Sequence, residues 1–191
     1  LHLDTPDNDQ INDILNKGTS MHNKIEKQWL DSGFAIDVEQ PVKDDINNIS
    51  GIYDARIHDK TAPGGEAIVD IKTINQKGFD EVVKTGQGKD VNVRQLNFYL
   101  GQLGMKKGYL HYVNRDTNQR YTVTVKFDKD LLQDTINNVN AARDEVRGML
   151  ERNEISRGDL YAPIDRYRIL ADVAPYSEEF KNMETILSRS N

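Results

Sequence analysis

Between Ala67 and Thr73 the chain reads Ala-Ile-Val-Asp-Ile-Lys-Thr, an apolar run with charge only at alternate positions. A β-strand turns successive side chains to opposite faces. This segment therefore commits Val69 and Ile71 to a core and gathers Asp70 and Lys72 on the other side, which faces either water or a cleft. A second strand-like run, Ser50 to Ile57, precedes it across the loop Asp59-Lys-Thr-Ala-Pro-Gly-Gly65. A hairpin centred on Ala62 sets Asp54 opposite Asp70, with Cβ atoms ~5 Å apart. Carboxylates that close repel each other unless a cation lies between them. A hard, oxygen-preferring divalent ion such as Mg²⁺ or Mn²⁺ meets that need, and Lys72 then stands where it can hold or activate a water for attack on a phosphate. Taken alone, the same pattern also describes an exposed sheet face.

The remaining segments supply a frame for this hairpin. Helical spacing is expected over Asp9–Lys17, with Ile11, Ile14 and Leu15 on one side and Gly18 as its end. A second helix, capped by Thr19 or Ser20, runs to about Leu30 through Met21, Ile25 and Trp29. Phe34 to Glu39 reads as a strand, followed by Pro41 and a polar turn. Residues 74–90 are polar and glycine-containing and read as a mobile connection. Val91–Leu103 is a helix closed by Gly104, and Tyr109–Val113 with Tyr121–Phe127 forms a hairpin around Arg115–Gln119. A long helix from Asp130 to about Arg152 buries Leu132, Ile136, Val139, Val146 and Met149. The tail from Ser156 is helical in pieces, broken near Pro163 and Pro175. The resulting order, α-β-β-β-α-β-β-α, predicts one α/β domain over 1–191, its core about 18–127 and a helical region about 128–191.

Two residue pairs join the hairpin. His22 and Glu26 lie four apart on one helix face, as do Gln95 and Tyr99. Each pair alone also reads as an ordinary helix-surface or packing pair. Together, Gly18-x-x-x-His22-x-x-Ile25-Glu26, Gly51-x-x-Asp54, Asp70-Ile71-Lys72-Thr73 and Gln95-x-x-x-Tyr99 resemble the PD-(D/E)XK nuclease superfamily, and within it the RecB-type exonuclease branch of bacteriophage and CRISPR-associated enzymes. The resemblance spans about Gly18 to Phe127. It implies a restriction-endonuclease-like αβββαβ core with a mixed central sheet flanked by helices.

It also implies roles by position. Asp54, Asp70 and the Ile71 backbone carbonyl would ligate a Mg²⁺ or Mn²⁺ ion, and His22 would complete its coordination. Lys72 would orient the attacking water and offset charge on the phosphate. Gln95 and Tyr99 would line the cleft, and Glu26 would hold a second metal or support His22. His58, on the strand face of Asp54, is a further supporting candidate beside the reading of an exposed edge residue. Tyr53 stands where the motif has proline, and the third acid is aspartate. The implied activity is metal-dependent hydrolysis of phosphodiester bonds in DNA, most readily as an exonuclease on single strands or ends. A structure-selective endonuclease and an inactive binding module share the same core.

Composition sharpens this. The chain carries no cysteine, which removes disulfides, thiolate zinc sites, cysteine nucleophiles and the iron–sulfur cluster that closes many members of that branch. Hydrophobic residues make up 37% of its 191 residues and arrive in periodic clusters, enough for a packed core. The net charge of −6 argues against a nucleic-acid partner until it is divided along the chain. Residues 91–130 hold seven basic and three acidic side chains, net +4. That stretch, with Arg94, Lys106 and Lys107, is either a phosphate-attracting surface or a solvated face. No run is long enough to span a membrane and nothing near Leu1 looks like a signal, so a cytoplasmic protein is expected. No Walker A loop is present, so any unwinding would come from another protein, such as a helicase or recombination partner, or from the form of the substrate.

Overall fold

The computed structural model describes Asn8–Glu151. Expectations for the tail from Ser156 and for the end of the long helix at Arg152 lie outside the described residues, as do those for the Ile11, Ile14, Leu15, Val146 and Met149 side chains. The elements are α1 (Asn8–Asp31), β1 (Ala35–Asp44), β2 (Ile49–His58), β3 (Glu66–Ile74), α2 (Gln76–Thr85), α3 (Asp90–Gln102), β4 (Lys107–Asn114), β5 (Arg120–Lys126) and α4 (Lys129–Glu151). The five strands form one mixed sheet in the order β1-β2-β3-β4-β5. β1, β2 and β3 are antiparallel neighbours, β4 runs parallel to β3, and β5 is antiparallel to β4. A parallel neighbour needs a long crossover, and α2 and α3 provide it between β3 and β4.

Alternation sorts the sheet's two faces. Ile68, Leu110, Tyr112, Val123 and Val125 join Phe79 and Val82 of α2, Leu96, Phe98 and Leu100 of α3, and Ile136 and Val139 of α4 in the largest core. Ile71 and Val113 pack instead against Ile25, Met21 and Trp29 of α1, and Ala67 and Val69 join a neighbouring cluster that also reaches Trp29. β3 is thus covered on both sides. Asp70 sits 1% exposed in its middle, which excludes the open-water reading of that face.

Three local expectations are corrected. Gly18 does not end a helix, because α1 runs unbroken from Asn8 to Asp31. A lone glycine costs a helix only about 1 kcal/mol, less than breaking its hydrogen-bond ladder. Pro41 lies inside β1 rather than in a turn, tolerated because β1 is an edge strand whose proline need not donate. Residues 74–90 hold α2, whose first turn is capped by the Asn75 side chain accepting from Gly78 N at 2.9 Å and whose end is the left-handed Gly86 (φ 67°). Its buried side is only Gly78, Phe79 and Val82, too small a stripe to stand out among polar neighbours.

Candidate active site

The β2–β3 ladder has the register set by a turn around Ala62, with Ala55 opposite Val69 and His58 opposite Glu66. The pairing stops at Ala55 and Val69. At the next step, Asp54 and Asp70, a side chain replaces the backbone acceptor: the Asp54 carboxylate accepts from Ile71 N at 2.5 Å. α1 brings His22 and Glu26 to this opening, and one ligand atom from each of His22, Glu26 and Asp54 lies within 4.8 Å of the others.

Lys72 forms the second half of the site. Its ammonium stands 3.1 Å from Asp70 Oδ2 and donates to Gln95 Oε1 at 2.6 Å. Gln95 Nε2 in turn donates to the Tyr99 hydroxyl at 2.9 Å. The order is chemically fixed: an ammonium only donates, so the glutamine must offer it oxygen and present its NH₂ to the tyrosine. Both helix residues are buried, Tyr99 completely. α3 can place them so because it is wedged between the sheet and α4. Its start is tied down by the Tyr112 hydroxyl, which accepts from Lys89 N (2.9 Å) and Asn92 Nδ2 (3.0 Å). Asn97 exchanges two 2.8 Å bonds with the Asp128 backbone at the head of α4.

The electrostatics follow from burial and crowding. Burial, then Lys72, lowers His22 to about 4, so its imidazole is neutral and able to ligate at pH 7. Burial, then the Asp70 carboxylate, raises Asp54 well above the usual range, against the Ile71 N–H and Lys72. Burial and Glu39 raise Glu26 to about 7. A neutral imidazole beside crowded, desolvated carboxylates is a donor set that fits a divalent cation of the Mg²⁺ or Mn²⁺ type. Acids held up by burial and by neighbouring carboxylates are what a bound cation relieves.

Sequence reasoning passed over Glu39. The pairs on either side, Val38 with Ala55 and Gln40 with Tyr53, set it across from Asp54. It adopts the left-handed φ of 50°, rare outside glycine. The signal was present: Asp37-Val-Glu39 alternates charge as 70–72 does.

Other candidates lie apart. His58 is exposed at the far end of β2. Arg94 is held by Asp90 at 2.8 Å and Asp134 at 2.6 Å. Lys107 is held by Asp59 at 3.0 Å and Thr61 at 2.6 Å, and Lys106 lies over the Phe127 ring at 5.4 Å. No helix among the described residues is long and apolar enough to cross a membrane.

No family model matches the sequence and no curated protein is detectably similar to it. Solved structures are similar in fold. An alkaline exonuclease, LHK-Exo from Laribacter hongkongensis, aligns with TM-score 0.51 and 13% identity over 93% of this chain and 75% of that one. The same protein in complex with dAMP gives 0.51 and 14% over 92% and 74%. The protein SSO0001 aligns at 0.42 and 20% identity over 61% of this chain, which spans 55% of that protein. The likeness to LHK-Exo is one of fold, carried by the mixed sheet and its flanking helices.

Proposed function

We propose that this chain is a divalent-metal-dependent nuclease that hydrolyses phosphodiester bonds in DNA, an exonuclease of the RecB-type branch working on single strands or ends. The observation that carries the reading is the meeting of the His22, Glu26 and Asp54 ligand atoms within 4.8 Å, next to a lysine fixed between Asp70 and Gln95. The alkaline exonuclease with a similar fold adds support from outside the chain.

His22, Asp54 and Asp70, with the Ile71 carbonyl, would hold Mg²⁺ or Mn²⁺, and Glu26 is near enough to His22 and Asp54 to join them. Such an ion supplies Lewis-acid polarisation of a phosphoryl oxygen and acidifies a water. Lys72 brings a fixed positive charge to the phosphate, and Gln95 and Tyr99 keep it from swinging away as charge builds. Asp70, buried at the base of Lys72, stands 3.1 Å from that ammonium and anchors it. Preorganisation of this kind needs no rearrangement as the reaction proceeds.

The test is cleavage of end-labelled single- and double-stranded linear DNA and of a closed circle, in Mg²⁺, Mn²⁺ and EDTA, beside Asp70→Ala. Metal-dependent loss of linear DNA with the circle spared and the variant silent is the expected result. An opened circle would make it an endonuclease. Binding without cleavage under any metal would overturn the enzymatic reading in favour of a binding module.

A further inference from the structure

A cavity of about 430 Å³ is lined by Trp29 near the end of α1, by Phe34 just after it, and by Ile57, Val69, Tyr109 and His111 of the sheet. Its size falls within the ~300–1,000 Å³ of small-molecule sites. The walls are aromatic. Trp29 meets Phe34 edge-on at 5.4 Å between ring centres and His111 at 5.3 Å, and Tyr109 also belongs to the lining. Phe34 is 45% exposed at the rim, an unfavourable place for a bare phenyl ring unless something covers it.

Arg120 lines the cavity and forms no ion pair with another described residue. Asp59, the one acid in the wall, is already committed to the Tyr109 hydroxyl at 2.6 Å and to Lys107 at 3.0 Å. With Asp59 tied to Lys107, the Arg120 guanidinium is the cationic group of the lining left without a carboxylate partner among the described residues. His111 Nδ1 is bonded to Thr122 Oγ1 at 2.9 Å, while its buried Nε2 has no partner among the described residues. A buried ring nitrogen without a partner is costly, and a ligand edge carrying a donor or an acceptor would remove that cost.

Position ties the cavity to the site. Trp29 follows His22 by two turns of α1, ~10 Å along the same face. His58, another lining residue, follows Asp54 by four positions of β2, ~13 Å. About three stacked nucleotides cover such a distance. Aromatic walls, a guanidinium and a ring nitrogen without partners among the described residues match a base with its phosphate.

We infer that the Trp29–Phe34–His111–Arg120 cavity is a nucleotide subsite, which holds one base of a single strand between aromatic walls and its phosphate at Arg120, about three nucleotides from the metal-ligating cluster. The inference rests on the proposed nuclease reading and adds a place where that enzyme grips its strand.

Trp29 is the sole tryptophan, so its emission reports the cavity directly. The full chain is titrated with a ten-residue oligothymidylate, with thymidine 5′-monophosphate and with inorganic phosphate, in Ca²⁺ and again in EDTA. Saturable change with the first two and none with phosphate is expected. Phe34→Ala and Arg120→Gln, both at exposed positions, should each raise the apparent Kd about tenfold, the effect of one base–aromatic stack or one phosphate contact. A thermal melt of each variant identifies any that fail to fold, and a labelled oligothymidylate binding Trp29→Phe provides a second readout. No change in emission up to millimolar ligand, or equal Kd values in folded variants, would overturn the subsite. Quenching without cleavage would leave the subsite standing and remove the nuclease reading, whereas cleavage without quenching would do the reverse.

Discussion

At the scale of single residues, the decisive fact is that charge is buried. Asp70 is 1% exposed and Glu26 5%, positions where an ionised carboxylate is expensive unless paired or bound to a cation. Lys72 shows how the chain meets that cost, with an ammonium shared between Asp70 and Gln95. In the proposed mechanism Lys72→Ala should lower kcat by about 10²-fold or more, while the melting curve still shows one cooperative transition. Wild-type turnover in that variant would remove Lys72 from the chemistry. His22→Ala should weaken metal binding more than DNA binding, read by a metal titration.

The pH dependence follows with opposite signs. Glu26, raised from 4.5 to about 7, keeps its proton in the folded protein where the unfolded chain has lost it. Its contribution to stability is full below 4.5 and disappears as pH rises through 7. His22, lowered from 6.5 to about 4, contributes above 6.5 and loses that contribution as pH falls through 4. A metal that recruits Glu26 must displace its proton, so affinity should fall up to about tenfold per pH unit below 7. Calorimetric titrations across pH 5–8 test this, and Glu26→Gln should flatten the profile.

At the scale of elements, glycines separate free space from contact. A Cβ at Gly18 would meet nothing within 4 Å, so Gly18→Ala should stabilise α1, and with it the protein, by about 1 kcal/mol. At Gly101 of α3 a Cβ would lie 2.5 Å from Leu132 Cδ2 and 3.0 Å from Phe127. There the propensity gain is outweighed by overpacking, and Gly101→Ala should cost about 1–3 kcal/mol. Urea melts of both variants measure the difference. Gln95 and Tyr99 depend on this seam, since α3 is positioned by its contact with α4, and a displaced α3 moves them with it. Element identities were legible where a buried stripe was long: the strands over 50–57 and 67–73, the helix over 91–103, and the 109–127 hairpin. α2 escaped notice because its three buried positions include a glycine and its start is set by an Asn75 cap that looks like any loop asparagine. α1 was divided because glycine's intrinsic cost was weighed without the packing of Ile25 and Trp29 that offsets it.

At the scale of the whole molecule, the site belongs to no single element. His22 and Glu26 come from α1, Asp54 from β2, Asp70 and Lys72 from β3, and Gln95 and Tyr99 from α3. A cation bound there would hold α1 to the parted β2–β3 strands, and binding to the native state alone stabilises it. At a hundredfold excess over Kd that amounts to about 2.7 kcal/mol, or a rise in Tm of about 5–10 °C for a chain of this size. Differential scanning calorimetry with Mn²⁺ and with EDTA reads it, and an unchanged Tm would argue against a resident metal.

The sequence by itself determined what is periodic or local. Strand alternation put Asp70 and Lys72 on one face, the Ala62-centred turn set the β2–β3 register, and four-residue spacing aligned His22 with Glu26 and Gln95 with Tyr99. Only the tertiary structure decided what depends on distance between elements. It stopped the ladder at Ala55 and Val69 so that Asp54 takes the Ile71 amide, brought Glu26 within 4.8 Å of both His22 and Asp54, and set Glu39 across from Asp54. It also tied Arg94 and Lys107 to aspartates distant in sequence. Spacing along one chain fixes which face a side chain shares, but burial and opposing charge come from other segments, and those set its protonation and its partners.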